Sequence, residues 1–249
     1  MNIVYKLLAY VYVKISNYFF DVFKYSFKKH SVLLYSDSRG TEVTSYYKKR
    51  NVIFSYVDFL DCKYKIDHRF CPHKYTSILD FLELIYSSER QYDHIILHCG
   101  IVDFAPRPMS SYFEMLETKK EFLIEKGWFS YFLNRSDYLC DYYGEKTIQF
   151  FSDSFLNEII IPELLKIDNI IYVGVNPVIK GWRGEYWRDR PDCINIQIKS
   201  NEYMLSSIVN HVDISQWNDE DIMAYTVDNV HYNKAGLEFI GKEINKFLY

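Results

Sequence analysis

Glycine and proline are scarce in this sequence, with nine and six residues respectively among 249. The glycines are scattered, so the glycine-rich loops typical of P-loop and dinucleotide-binding proteins are absent. No proline-rich or glycine-rich linker divides the chain. Because 249 residues with 49% apolar content are enough for one substantial core, we predict a single domain over residues 31–249, preceded by a helical segment over residues 1–30.

The sequence also has no excess of basic residues. Its 29 Lys and Arg residues are outnumbered by 33 Asp and Glu residues, which gives a formal net charge of −4. A chain with this balance has no global positive field to recruit a polyanion. We therefore expect no nucleic-acid partner.

Cysteine is infrequent and irregularly spaced. Five cysteines are an odd number, which argues against a disulfide framework and favours a reducing compartment, so we expect a cytoplasmic protein. Cys62, His68, Cys71 and His73 carry side chains that bind metals, but their spacing matches no compact zinc pattern. We expect no metal.

No hydrophobic run near the N-terminus is long enough to cross a bilayer. The longest uncharged stretch there is Leu7–Val13, whereas a spanning helix needs about 20 apolar residues. Lysines punctuate the segment instead, a pattern typical of an amphipathic helix. Residues 1–30 are therefore predicted to pack on the domain, to pair with a second subunit, or to lie on an anionic surface at the inner face of a membrane.

Strand-like and helix-like patterns alternate along the rest of the chain. Apolar runs predict strands at Val32–Tyr35, Val52–Val57, His94–His98, Ile170–Val175 and, more weakly, Ile208–Ile214. Helical periodicity predicts helices at Ser77–Ser88, Phe113–Glu125, Ile148–Lys166, Ile196–Ser207 and Lys234–Leu248. This alternation indicates a three-layer α/β/α domain with a parallel sheet of about five strands.

Ser38 follows the first predicted strand directly, within the segment Ser36–Gly40. In parallel sheets, loops at the carboxyl ends of the strands carry the ligand sites. A helix is predicted around Thr41–Lys49, and the N–H groups at its start would stabilise negative charge that develops beside the serine. A serine there is either a nucleophile or an ordinary helix cap.

Asp228 and His231 precede the last predicted helix. Residues three apart at a helix entry face each other, so Asp228 can hold one ring nitrogen of His231 while the other faces a serine. This is the arrangement that activates a serine nucleophile. A capping aspartate beside an exposed histidine is the simpler alternative.

Taken together, these segments resemble the SGNH, or GDSL, hydrolases. Ser36–Ser38 is similar to the family's first block, Gly-Asp-Ser; Gly100–Asp103 to its third, Gly-x-Asn-Asp; and Asp228–His231 to its fifth, Asp-x-x-His. The resemblance implies a flavodoxin-like fold that hydrolyses or transfers acyl esters without a cofactor. It further implies that Ser38, His231 and Asp228 are catalytic, and that Gly100 and Asp103 lie beside the substrate.

The sequence departs from the family pattern in the oxyanion hole. Val102 stands where the family has an asparagine that donates a hydrogen bond, and no glycine for the second block occurs between Gly40 and Gly100. Removing one such donor costs about 10²–10³ in turnover. We expect the Ser38 N–H, an amide from residues 58–72 or a protonated His98 to serve instead.

Arginines cluster in the loops around the predicted site, and the candidates for substrate binding are Arg39, Arg107, Arg183 and Arg188. Guanidinium groups match carboxylates and phosphates, which favours an anionic substrate. We predict an esterase or O-acetyltransferase that acts on a carbohydrate in surface polysaccharide biosynthesis or modification. The alternatives are a non-hydrolytic glycan-binding module with a degenerate oxyanion hole, and a transferase of a glycosyl or phosphoryl group.

Overall fold

A five-stranded sheet, with every strand parallel, forms the centre of the molecule. The computed structural model describes residues 3–25, 30–61, 63–186 and 189–248. Its strand order is β2 (Tyr64–Phe70), β1 (His30–Ser36), β3 (His94–His98), β7 (Ile170–Val173) and β8 (His211–Val212). Numbered within the sheet alone, this is the order 2-1-3-4-5 of doubly wound folds, in which ligands bind beyond the carboxyl ends of the strands.

Side chains of the strands alternate between two cores, one on each face of the sheet. Leu33 and Tyr35 of β1 belong to one cluster of buried residues, whereas Val32 and Leu34 belong to the other. Successive side chains of a strand point to opposite faces, so an uninterrupted apolar strand requires cover on both sides. The predicted three-layer α/β/α architecture is confirmed.

Helices supply that cover. They are α1 (Ile3–Tyr25), α2 (Ile78–Ser87), α3 (Ile101–Phe104), α4 (Met109–Glu125), α5 (Asp153–Phe155), α6 (Ile161–Leu164), α7 (Gln197–Ser207), α8 (Asp219–Tyr225) and α9 (Lys234–Asn245). A π-helical turn at Leu156–Ile160 joins α5 to α6. A small antiparallel sheet, formed by β4 (Arg107–Pro108), β6 (Glu145–Ile148) and β5 (Asp141–Tyr142), stands beside the main sheet.

The second predicted strand, Val52–Val57, is wrong. Two short 3₁₀ helices occupy this region, because the side chains of Asn51 and Ser55 accept hydrogen bonds from the N–H groups of Ile53 and Val57 and cap each turn. The true second strand is β2 at the edge of the sheet, where polar residues such as Lys65 and Arg69 hide the pattern.

The helix predicted around Thr41–Lys49 is wrong as well. Ser38–Gly40 form a single 3₁₀ turn, and residues 41–50 are irregular apart from a turn at 46–50. Ser38 therefore lies on a tight turn held by its own side chains, and no long helix begins beside it.

Helix α1 packs one narrow stripe onto the body of the domain. Ala9, Val13 and Ser16 are buried, and the Asn17 side chain hydrogen-bonds the backbone of Arg50 and Val52. Most other apolar side chains of α1 are exposed. Among the described residues, no helix is sufficiently long and apolar to cross a membrane.

One pair of cysteines forms a disulfide that the irregular cysteine spacing gave no reason to expect. Cys140 and Cys193 are joined by a disulfide, although 53 positions separate them in the sequence. The small sheet brings Cys140 beside the residues that precede α7, a proximity that sequence spacing could not reveal. The bond removes the basis for the predicted reducing compartment, because disulfides persist mainly in oxidising ones.

Candidate active site

Ser38, His231 and Asp228 form a continuous chain of hydrogen bonds. The Ser38 Oγ lies 3.0 Å from His231 Nε2, and His231 Nδ1 lies 2.7 Å from Asp228 Oδ2. An ionised Asp228 can only accept, so Nδ1 carries a proton in the neutral ring and Nε2 accepts from the serine hydroxyl. The structure therefore brings the three residues that the sequence singled out within hydrogen-bond distance of one another.

The fold positions Ser38 through the turn that ends β1. Asp37 caps the turn by accepting a hydrogen bond from the Arg39 N–H at 3.0 Å, and its own N–H donates to the His98 carbonyl at 3.0 Å. These bonds attach the serine turn to the end of the neighbouring strand β3. The nucleophile candidate thus stands at the carboxyl edge of the sheet.

A compact loop between α8 and α9 positions His231. The Asp228 Oδ1 accepts hydrogen bonds from the backbone N–H groups of Val230 and His231, at 3.1 and 2.7 Å. Asn229 adopts a left-handed conformation, with φ of 71°, that asparagine tolerates better than most residues. Its side chain hydrogen-bonds the backbone of Ile179 and Trp182, which ties this loop to the one after β7.

Asp228 keeps a negative charge where the histidine needs it. Burial raises the pKa of the carboxyl, but the hydrogen bonds and charge of His231 outweigh burial, with a smaller contribution from Arg190, and the pKa lies below its ordinary value. Arg190 approaches the same Asp228 oxygen at 3.8 Å. The carboxylate can therefore orient His231 and stabilise it when the ring takes up a proton.

Arg39 does not contact substrate, contrary to the prediction. Its side chain is fully buried and donates to both carboxylate oxygens of Asp37 and to the Gly174 carbonyl. Burial lowers the pKa of the guanidinium, but the charge of Asp37 reverses the effect and raises it. Arg39 is therefore a structural partner of Asp37 beneath the serine turn.

His98 is also in a different position from the one predicted. It is fully buried, lies between the rings of Tyr56 and Tyr232, and lines neither cavity described below. Burial, together with the charge of Arg39, lowers the pKa of His98 well below its ordinary value. A neutral, enclosed ring cannot serve as the protonated oxyanion donor.

Gly100 and Asp103 shape the turn after β3 and line neither of the two cavities described below. Gly100 has φ of 134°, and a Cβ there would lie 2.8 Å from the Phe104 ring, so the tight entry into α3 requires glycine. Asp103 is buried and accepts a hydrogen bond from the Ile78 N–H at 3.2 Å. Burial raises its pKa well above the ordinary value.

Two cavities meet at Ser38 and His231. The larger, of about 410 Å³, includes Thr44, Lys49 and Arg50 among its lining residues. The smaller, of about 270 Å³, includes Val102 and Arg107. Tyr186 borders both cavities. An ester bond held over Ser38 would have room for one substituent on each side.

An oxyanion hole of the kind the resemblance implies would lack a donor on the side of Val102, whose aliphatic side chain lines the smaller cavity and cannot donate a hydrogen bond. Cys71, the first residue after β2, does not supply the missing donor, because its N–H already donates to the Ser36 carbonyl at 2.6 Å. Ser38 supplies a backbone N–H next to its own hydroxyl, which is the usual position of one oxyanion donor.

The predicted arginines separate into different environments. Arg107 lines the smaller cavity, whereas the exposed Arg183 lies 3.5 Å from Asp189 and lines neither cavity. Arg188 lies outside the described residues. Lys74 and Tyr142 also line the smaller cavity, and no motif in the sequence marked them.

Within the described parts of the chain, no group of three or more His, Cys, Asp or Glu side chains is arranged to hold a metal ion. His68 packs against Phe70 and lies 3.5 Å from Asp21, and Cys71 is a free thiol. Cys62 lies outside the described residues.

Comparison with models of known protein families gives no match, and comparison with curated protein sequences gives none either. The site is therefore interpreted from its own geometry.

Proposed function

We propose that this chain is a serine-dependent acyl ester enzyme of the SGNH type, an esterase or O-acetyltransferase that acts on a carbohydrate in surface polysaccharide biosynthesis or modification. The observation that carries the proposal is the hydrogen-bonded chain Ser38–His231–Asp228, which lies where two cavities meet at the carboxyl edge of the sheet. If Ser38 were only a helix cap, its hydroxyl would need neither the hydrogen bond to His231 nor the buried Asp228 behind that histidine.

The reaction follows from this geometry in two halves. His231 Nε2 takes the proton of the Ser38 hydroxyl while Oγ attacks the ester carbonyl, and Asp228 stabilises the imidazolium that forms. The tetrahedral intermediate collapses, the bond to the alcohol breaks, and His231 returns the proton to the departing oxygen. Water or a sugar hydroxyl, deprotonated by His231, then attacks the acyl-Ser38 ester and regenerates the serine.

Val102 limits the rate of this chemistry in our account. A missing side-chain donor in the oxyanion hole lowers turnover by about 10²–10³. The backbone N–H of Ser38 remains as a donor, so we expect a slow enzyme and not an inactive one.

The same valine supports a second candidate, a glycan-binding module that has lost hydrolytic activity. Such a module has no use for a hydrogen-bonded serine, histidine and aspartate, so we rank it below the enzyme. A glycosyl or phosphoryl transferase that uses the same nucleophile is the remaining alternative.

Turnover of small esters separates these candidates. Wild-type protein and Ser38→Ala are incubated with 4-nitrophenyl acetate, with and without a hexose acceptor, and released acetate and acetylated hexose are quantified. We expect acyl release or transfer that Ser38→Ala abolishes. Turnover that persists in Ser38→Ala contradicts the serine mechanism, and binding of glycans without any turnover favours the module.

We further propose that α1 contacts an anionic membrane surface. Leu7, Leu8 and Ile15 are more than half exposed, and the cationic Lys6 and Lys14 lie on the same helix. Apolar side chains accompanied by lysines are typical of helices that lie in the lipid interface. For the compartment, the Cys140–Cys193 disulfide favours an oxidising one over the cytoplasm.

A further inference from the structure

The smaller cavity beside Ser38 is lined by positive charge. Lys74, Arg107 and Arg190 contribute to its wall, and no Asp or Glu does so among the described residues; Lys74 is paired with Glu114 and Arg190 lies 3.8 Å from Asp228, both of which stand outside the wall. The larger cavity differs, because Glu185 and Asp228 line it together with its cations. We call the smaller cavity the cationic pocket.

Neighbouring groups hold both arginines of this pocket in place. Arg107 Nε donates to the Val102 carbonyl at 2.9 Å, and its guanidinium lies 5.8 Å from the centroid of the Tyr75 ring. The Arg190 guanidinium stacks on Tyr186, 3.7 Å from the ring centroid, and its side chain is only 19% exposed. Guanidinium groups fixed in this way lose little side-chain entropy when they bind an anion.

Contacts outside the cationic pocket stabilise its wall. β4, which begins at Arg107, pairs with β6. Tyr142, which also lines the pocket, donates to the Asp189 carbonyl at 2.6 Å. The Cys140–Cys193 disulfide joins the segments on either side of this contact. The pocket is therefore built from fixed elements.

We propose that the cationic pocket binds the anionic group of the substrate, a carboxylate or phosphate carried by a sugar. Planar guanidinium groups match the oxygens of both anions, and charge-assisted hydrogen bonds to them are the strong ones. Tyr75, Tyr142 and Tyr186 offer apolar ring surface for the sugar itself. The claim that this anion is part of the ester attacked by Ser38 rests on the proposed function. The claim that the pocket binds the anion does not depend on it.

Equilibrium binding tests the inference without any turnover. Ser38→Ala protein is titrated by calorimetry with D-glucuronate, D-glucose 6-phosphate and D-glucose, which differ only in the substituent at one carbon. The titrations are repeated with Arg107→Gln and Lys74→Gln added together. Lys180→Gln and Arg183→Gln, which change residues on neither cavity, are matched controls added to Ser38→Ala, and thermal unfolding checks that every variant folds.

We expect at least one anionic hexose to bind about tenfold or more tightly than glucose, because charge-assisted hydrogen bonds exceed neutral ones by roughly this factor. The preference should fall with added salt, disappear in the Arg107→Gln, Lys74→Gln protein and survive in both controls. Equal affinity for all three sugars, no measurable binding of either anion, or a preference that survives loss of Arg107 and Lys74 would overturn the inference. Failure of Ser38 to react with esters would leave this result untouched.

Discussion

The turn that carries Ser38 depends on an ion pair beneath it. Asp37 and Arg39 are each about 1% exposed at their side chains, and together they join β1 to the Gly174 carbonyl after β7. Arg39, which its place in the sequence predicted to bind substrate, instead anchors the turn that carries Ser38. The sequence could not distinguish these two roles of Arg39, because the direction in which its side chain leaves the short turn Ser38–Gly40 depends on the tertiary fold.

Arg39→Met leaves Asp37 charged and buried without its partner. Breaking a buried pair in this way costs about 3–5 kcal/mol. We expect a loss of that size in the free energy of unfolding, measured by urea denaturation. Arg183→Met removes an exposed ion pair and should cost less than about 1 kcal/mol. Equal losses for the two variants would contradict the structural role of Arg39.

Asp103 makes stability depend on pH. Burial raises the pKa of its carboxyl well above the ordinary 3.8, so the folded chain holds a proton that the unfolded chain releases. The contribution of Asp103 to stability should therefore fall as pH rises from about 4 towards its raised pKa in the folded chain. Asp103→Asn keeps an oxygen for the Ile78 N–H but has no proton to lose.

The stability of Asp103→Asn relative to wild type should consequently increase over the same pH interval. Urea denaturation of both proteins at a series of pH values measures this difference. If the difference were independent of pH, the carboxyl would not be held in its protonated form by burial.

At the scale of elements, the apolar strands were predictable and the polar one was not. β1 and β3 could be predicted because each is an uninterrupted apolar run, as expected for strands of a parallel sheet that is covered on both faces. β2 lies at the edge and carries charged residues, whereas the apolar segment at Val52–Val57 is a pair of capped turns packed against α9. Local capping by Asn51 and Ser55 overrode the strand pattern.

The candidate site, too, could be predicted from the sequence only in part. Ser38, Asp228 and His231 could be identified because a short turn brings Asp228 and His231 together and Ser38 follows an evident strand. Arg107 was predicted to bind an anionic substrate, but the cationic pocket as a whole was not, because Lys74, Arg107 and Arg190 come from three segments that meet only in the folded chain.

Helix α1 should bind vesicles that contain anionic lipid. Leu8 and Ile15 are exposed, so changing both to Asp removes apolar contact without disturbing the packed stripe. We expect sedimentation with phosphatidylglycerol vesicles to fall at least about tenfold in Leu8→Asp, Ile15→Asp, since each buried apolar side chain contributes substantially to partitioning.

Val209→Asp, at a residue that is 88% exposed outside α1, is the matched control and should bind like wild type. Binding that is unchanged in the α1 variant would argue against the membrane contact. A wild-type dimer that this variant dissociates, with no vesicle binding by either protein, would identify the helix as a contact with a second copy.

At the scale of the whole molecule, the disulfide closes a large loop around the small sheet. Cross-linking positions separated by 53 residues restricts the unfolded chain, which corresponds to about 4 kcal/mol in the loop-entropy account. We expect Cys140→Ala, Cys193→Ala to lose stability of this order in urea denaturation. A reducing agent should destabilise wild type to the same extent and leave the variant unaffected.

Cys71→Ala removes a free thiol and serves as the control, since it should respond to the reducing agent as wild type does. Identical stability of wild type with and without reductant would show that the two cysteines are not joined in the folded protein.

The central claim is that Ser38 is a nucleophile activated by His231 and Asp228. Fluorophosphonates react with activated serines, so covalent labelling followed by peptide mapping tests the claim most directly. We predict a single modified residue, Ser38, with labelling abolished in Ser38→Ala and strongly slowed in His231→Ala while both variants remain folded. No labelling of the folded wild type, or labelling that is the same in Ser38→Ala, would contradict it.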